Sequence, residues 1–260
     1  MSRRDSEDSS LVLRFAIPTL FWAYKGVLYF LSFVVQVLVI AHFRWLPPAV
    51  LLILAIIAFP IGGFIFLSLL ILTKKLLIGP IEPTGRTTLY RKDGMKWFLA
   101  ATSTFIVTDC LFRAMVNGLS LLAAYYYRGM GAKMPWSVTL GPRARISDPW
   151  FVEMGENVLI GTEAVILGHL SYCTEVVLGR VVIGDWSVVG MRAVIFPDVR
   201  IGSRARIGAG SIVVRGTVIG DGETWAGAPA TKISAKPGSG PGDEELEAVS
   251  LDEFPSRRAD

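Results

Sequence analysis

Histidine and cysteine are almost missing from this 260-residue chain, which has two of each. Two imidazoles, His42 and His169, are too few for a zinc held by three histidines. Cys110 and Cys173 form no CxxC pair, so neither a disulfide framework nor a structural zinc is expected, and a reducing compartment is the simpler setting. Charge is scarce as well: Asp, Glu, Lys and Arg make up 18% of the residues, below the quarter usual for soluble domains. No helix-turn-helix, zinc-finger or RNP-like pattern is present, so nucleic acid is not an expected partner. What the chain does have is 52% hydrophobic residues, a mean hydropathy of +0.50 and 26 glycines. That combination mixes a lipid-facing population with one rich in tight backbone turns.

The net charge of +4 is unevenly spread. From Lys236 onward there are 3 basic and 7 acidic residues, so residues 1–235 carry 23 basic against 15 acidic, a net of +8. A basic body beside apolar segments suits anionic lipid or a phosphorylated ligand. The tail itself, PGSGPGD followed by acidic residues, has no apolar periodicity and reads as disordered over 234–260.

Two long apolar runs follow a polar start at 1–14. The first, Leu20–His42 with Lys25 snorkelling, would form a helix of about 34 Å, enough to cross a bilayer. The second, Val50–Thr73, is free of charge but carries Pro60, Gly62 and Gly63 midway, which predicts a kinked span or, alternatively, a broken re-entrant hairpin. No cleavable secretory signal fits the first run. Basic residues flank the hairpin on one side (Arg3, Arg4, Arg14, Lys25, then Lys74, Lys75, Arg86, Arg91 and Lys92), whereas the loop holds only Arg44. Both ends are therefore expected in the cytoplasm, with a transmembrane hairpin over 15–78 in the inner (plasma) membrane. His42 falls at the far interface, as an anchor rather than a catalyst.

Residues 79–136 are expected to lie on the membrane as interfacial amphipathic helices and a joint. From Trp97 to Tyr127 the chain is apolar apart from Asp109 and Arg113, whose i, i+4 spacing allows a helical ion pair or, in the sharper reading, a site for a polar acceptor headgroup. Tyr125, Tyr126, Tyr127, Arg128 and Trp136 read as an interfacial belt. A third crossing over 97–127 stays an alternative.

From Ile183 the chain falls into six-residue units that start at Ile183, Val189, Ile195, Ile201, Ile207, Val213, Ile219 and Trp225. Second positions include Gly184, Gly190, Gly202, Gly208 and Gly220; fifth positions include Ser187, Ala193, Ala205 and Ser211. Upstream the pattern continues with phase shifts through Leu140, Ile146, Met154, Ile160, Ile166, Tyr172 and Leu178. A period of six fits neither an α-helix nor an alternating strand and predicts a parallel β-helix over 137–233, with about five triangular coils. Aliphatic first positions would fill the interior and glycine would permit the corners.

The residues IGDWSVVGMRAVIFPDVRIGSRARIGAGSIV (183–213), closed by WAGAPATKI (225–233), resemble the hexapeptide-repeat acyltransferases. YYYRGMGAKM (125–134) resembles the joint between helices and repeats in membrane-bound members, and the pairing is similar to the membrane-associated C-terminal parts of polylysine-synthetase-like proteins. The resemblance implies a membrane α-helical N-terminal region followed by an all-β, left-handed parallel β-helix. It also implies a homotrimer and acyl-CoA, acetyl-CoA or a longer chain, as co-substrate rather than a permanently bound cofactor. It further implies a catalytic base at His169, in VILGHLSYC (165–173), where the repeat is interrupted. Glu163 and Glu175 are both options for orienting the imidazole. Cys173 leaves a Cys–His nucleophile as an alternative.

For CoA, the side-chain-poor wall Gly208, Ala209 and Gly210 suits pantetheine, and Trp225, Gly227, Ala228 and Pro229 would close it. Arg192, Arg204, Arg206, Arg215 and Lys232 are candidates for the phosphates. Thr231 stands where the family often has lysine, which puts that contact on Lys232 in doubt.

The expected function is acyl transfer from acyl-CoA to a hydroxyl, or an amine, of a membrane lipid headgroup or lipid-linked sugar or inositol at the cytoplasmic face. A non-catalytic trimeric scaffold is the alternative from another class.

Overall fold

The computed structural model describes residues 3–88, 91–108, 116, 119–172 and 175–233. Helix α1 (Arg3–His42) and helix α2 (Pro48–Thr73) are joined by a turn too short for anything but an antiparallel pair. Two segments, Trp22–His42 and Pro48–Ile78, are long and apolar enough to cross a membrane. α2 runs unbroken through Pro60, Gly62 and Gly63, so the chain forms one helix here and not the broken hairpin. Gly62 leaves room for Gln36 of α1: a Cβ there would overlap the end of the Gln36 side chain and displace it. Tyr29 stacks on Phe66 with centroids 5.0 Å apart, while Phe30, Leu38, Leu52, Ile56 and Ile61 stay exposed on the outside of the pair.

α2 ends in a π-type turn, Lys74–Ile78, before a short strand, Gly85–Thr88, and helix α3 (Lys92–Thr108). Helix α4 (Ser120–Met130) packs on α2 through Tyr125, whose hydroxyl lies 2.9 Å from Ser68 Oγ and whose ring stacks on Phe64. The expected tyrosine belt is corrected at two of its three positions. Tyr126 and Tyr127 are buried in the core shared by the helices and the first repeats, and the Tyr127 hydroxyl accepts from Ile146 N–H at 3.3 Å. Only Trp136 is well exposed, with Arg128 over its ring at 4.6 Å. α4 also meets the first coil directly, since Leu140 N–H donates to Ser120 Oγ.

The repeats wind into a three-faced parallel β-helix. One face stacks Leu140, Ile160, Val189, Ile207 and Trp225; the second stacks Ile146, Ile166, Ile195 and Val213; the third stacks Met154, Ile183, Ile201 and Ile219. All eight first positions from Ile183 onward thus fall in register, eighteen residues per coil. Four coils are complete and Thr224–Gly227 begins a fifth, capped by the antiparallel strand Ala230–Ile233. The interior is filled by these aliphatics together with buried Ala193, Ala205, Ser187 and Ser211. The Ser187 hydroxyl donates to Gly202 O at 2.6 Å, so its burial leaves no unsatisfied donor.

Two sequence expectations are corrected here. Left-handed backbone falls on the fourth position of each unit (Trp186, Arg192, Asp198, Arg204, then Gly210, Gly216 and Gly222), not on the second. The second-position glycines answer to space instead: a Cβ on Gly190 would lie 2.6 Å from the amide nitrogen of Ala209 one coil on. Tyr172 and Leu178 are not repeat positions. Leu178 is buried on the central strand of a three-stranded antiparallel sheet, and Tyr172 is exposed.

That hairpin, His169–Ser171 and Glu175–Leu178, takes the place of a corner, so seventeen positions separate Ile166 from Ile183 where six separate Ile195 from Ile201. Gly85–Thr88 adds to it as a third antiparallel strand. The first coil departs at the same corner, where eight positions separate Ile146 from Met154 to fit a 3-10 turn, Pro149–Phe151. α3 packs over both departures, with Trp97, Ala100 and Ala101 against Phe151, Val176 and Leu178.

If the interior ladder holds the coils, Ile195→Ala should lose about 2–5 kcal/mol, the usual loss for a buried aliphatic cut to alanine. Gly190→Ala should also lower Tm, because the next coil's backbone must move to admit it. Thermal unfolding checks both, and an unchanged Tm for Ile195→Ala would contradict the packing.

Candidate functional site

Both irregular corners converge on one carboxylate. Asp148, fully buried, begins the 3-10 turn of the first coil, and its two oxygens accept three hydrogen bonds. Trp97 Nε1–H of α3 donates to Oδ1 at 2.7 Å; Gly168 N–H donates to Oδ2 at 3.0 Å; His169 Nδ1 is 2.6 Å from the same Oδ2. With Asp148 as a carboxylate, which only accepts, this bond takes its proton from Nδ1 and leaves the lone pair of a neutral imidazole on Nε2. The Trp97 indole also flanks the imidazole, with centroids 4.8 Å apart at 54°. About a fifth of the His169 side chain is exposed, enough to meet a ligand while the ring stays fixed. Gly168 is needed because a Cβ there would stand 2.8 Å from Asp148 Cβ and 2.9 Å from the Phe151 ring.

Neither glutamate expected beside His169 occupies that position. Glu163 sits at a left-handed corner between Arg143 and Arg192, with Arg192 Nε 2.8 Å away; that hydrogen bond above all holds its carboxyl below the usual range. Glu175 lies on the hairpin strand and pairs with Arg86 at 3.4 Å. Asp148 and Trp97 escaped the sequence reading because they come 21 and 72 positions before His169. One signal was available, the two extra residues before Met154, which mark where Asp148 lies.

The positions expected for CoA fall elsewhere on the β-helix. Gly208, Ala209 and Gly210 form a corner between the first and second faces, whereas His169 stands between the second and third. Gly208 packs directly under the closing strand, since a Cβ would meet Ala226 Cβ at 2.8 Å. Trp225 is partly buried there, its Nε1–H donating to Glu223 at 2.9 Å. Gly227, Ala228 and Pro229 make the closing turn. Three of the five phosphate candidates are ion-paired within the chain: Arg192 with Glu163, Arg215 with Asp198 at 2.7 Å, and Lys232 with Glu223 at 2.6 Å. Lys232, followed by Trp225 and Gly220 N–H, holds the Glu223 carboxyl down at about 2. Asp109, Arg113 and Cys173 lie outside the described residues. Among the described residues no group of three or more His, Cys, Asp or Glu side chains could hold a metal ion.

No model of a protein family matches the chain. YvoF of Bacillus subtilis (strain 168), a protein provisionally named an acetyltransferase, is 34% identical over 155 residues, 59% of this chain and 88% of its own. The delta-poly-L-ornithine synthetase of Acinetobacter baumannii (strain AB307-0294) is 29% identical over 163 residues, but the match spans only 12% of that protein against 63% of this one. A maltose O-acetyltransferase from Clostridium difficile 630 superposes with a TM-score of 0.45 and 16% identity, covering 58% of this chain and 92% of its own. That superposition is too loose to bear on the acceptor. With the six-residue register unbroken from Ile183 to Trp225 and a relative matched along most of its length, the chain belongs to the hexapeptide-repeat acyltransferases.

Proposed function

We propose that this acyltransferase moves an acyl group, acetyl first among the options, from acyl-CoA to a hydroxyl of a membrane-embedded acceptor at the cytoplasmic face, with His169 as general base. The observation that supports this most is the bond between His169 Nδ1 and buried Asp148. It leaves Nε2 as a fixed, partly exposed proton acceptor. In the proposed reaction Nε2 takes the proton from the acceptor hydroxyl while its oxygen attacks the thioester carbonyl. The C–S bond then breaks, CoA leaves as a thiolate and receives the proton from the imidazolium. Asp148 offsets the charge on the ring during that exchange. Trp97 and Gly168 hold Asp148 in place and so act as positioning residues.

The membrane reading is supported by the two apolar segments and by the way α3, reached from the end of α2, supplies Trp97 to the site. In this reading the inner (plasma) membrane holds α1 and α2, both chain ends and the β-helix are cytoplasmic, and a lipid headgroup or lipid-linked sugar or inositol is the acceptor, with Asp109 and Arg113 as its proposed contacts. A left-handed β-helix assembled as a homotrimer is part of the same proposal. The Gly208–Gly210 corner and the His169 corner stand on different edges of the triangular β-helix, two coils apart, so a site that uses both is shared between copies. Arg192, Arg215 or Lys232 would exchange its internal carboxylate for a CoA phosphate on binding.

His169→Ala is expected to lower turnover by about 10²–10⁴-fold while CoA still raises Tm. CoA at 100 times its Kd should add about 2.7 kcal/mol of stability, and no shift at saturation would favour the scaffold reading. Asp148→Asn should lower kcat about 10²-fold or more with little change in the KM for acyl-CoA, a split that a mere packing defect would not give. Cys173→Ala should remain active; loss of turnover in a folded variant would reinstate an acyl-enzyme. Membranes incubated with radiolabelled acetyl-CoA and then extracted with organic solvent should carry label in the lipid phase. Label found only in water-soluble products would overturn the lipid acceptor.

A further inference from the structure

The reaction proposed above leaves a buried cation at the joint unused. Lys74 opens the π-type turn that ends α2, and the residue is only 6% exposed. Its Nζ lies over the Trp150 ring, 5.5 Å from the centroid, and it makes no hydrogen bond or ion pair among the described residues. Trp150 Nε1 is also buried without a hydrogen-bond partner. The third wall is Gly131, the left-handed cap of α4, where a Cβ would stand 3.6 Å from Lys74 Nζ and 3.3 Å from Trp150 Cβ. Two donors, one of them charged, thus lie together without a hydrogen-bond acceptor among the described residues. Buried donors are normally satisfied, and a buried ammonium needs an anion more than an aromatic face. Exposed Lys75 adds positive potential at the same level, and Leu72, 49% exposed, begins the apolar surface of α2 on the other side of Lys74.

We propose that Lys74 and Trp150 form a subsite for one phosphate group, carried by a lipid whose acyl chains run back along α2 past exposed Leu72. This rests on the reading of α2 as membrane-spanning, which puts Lys74 at the end of the span, at the depth of lipid phosphates. The phosphate accepts from Lys74 Nζ as an ion pair and from Trp150 Nε1 as a hydrogen bond. Trp150 is two residues from Asp148, so the subsite places a phospholipid beside the corner that holds His169.

The test uses the full chain in neutral detergent with dioctanoyl phosphatidylglycerol, dioctanoylglycerol and inorganic phosphate as probes, read by thermal shift and native mass spectrometry. Phosphatidylglycerol should bind and raise Tm, and dioctanoylglycerol, with the same chains and no phosphate, should not. Lys74→Met, which keeps the packing on Trp150, should weaken phosphatidylglycerol binding about ten-fold or more; Trp150→Phe, which keeps the ring and removes the N–H, should weaken it less. Inorganic phosphate that reproduces the shift at the same concentration, and loses it in Lys74→Met, would keep the phosphate site but overturn its lipid source. Equal binding by both variants and wild type, or equal shifts from dioctanoylglycerol, would overturn the subsite. The CoA-induced shift serves as the control. If the variants keep it and lose phosphatidylglycerol, the subsite stands apart from the acyl-transfer site. If wild type binds phosphatidylglycerol but not CoA, the proposed reaction fails and the subsite survives.

Discussion

Every coil of this protein is tied to its neighbour through backbone bonds, which from Ile183 onward repeat every eighteen residues. Gly190 N–H reaches Ile207 O, Gly208 N–H reaches Trp225 O, and Arg192 N–H reaches Thr162 O at a corner. Such a ladder leaves little freedom. An aliphatic chain must point inward every sixth residue, the second position must be nearly bare where the next coil lies against it, and the fourth must accept a left-handed backbone. Side chains at that fourth position bear the conformational cost at Trp186, Arg192, Asp198 and Arg204, where only local geometry and not glycine makes the turn.

Because the ladder is strict, its interruptions carry information. Both extra-long corners fall between the second and third faces, on consecutive coils, and so lie one above the other. The lower one supplies Asp148, the upper one supplies His169, and α3 reaches over them with Trp97. Three segments far apart in the chain are tied by one buried carboxylate with three donors. The helical part and the repeat part are therefore joined at the place where the imidazole is held, and a disturbance of α3 would reach His169 both through the indole's hydrogen bond to Asp148 and through its contact with the ring.

The ladder was legible in the sequence because its signal is local and periodic: every first position from Ile183 to Trp225 was in phase, and the helical hairpin followed from run length alone. His169 could be singled out as the interruption. Its carboxylate could not, because nearness in sequence pointed to Glu163 and Glu175, whereas nearness in space depends on which residues stack across coils of unequal length. The tyrosines 125–127 misled for a related reason. Their aromatic and polar character fits a membrane interface and a helix–repeat joint equally well, and only the tertiary contacts of Tyr126 and Tyr127 decide for the joint.

The strand Ala230–Ile233 runs back against Thr224–Gly227, reversing the direction of the chain at the end of the stack. A stack of parallel coils otherwise ends in a strand that could accept another of its own kind, and growth by addition of further molecules would be unchecked. A reversed strand presents the opposite polarity, so on that face the series terminates chemically as well as sterically. At the other end α4 occupies the equivalent place, with Ser120 taking the Leu140 amide. On the first face the parallel ladder is thereby closed at both ends, by a reversed strand at one and by a helix at the other.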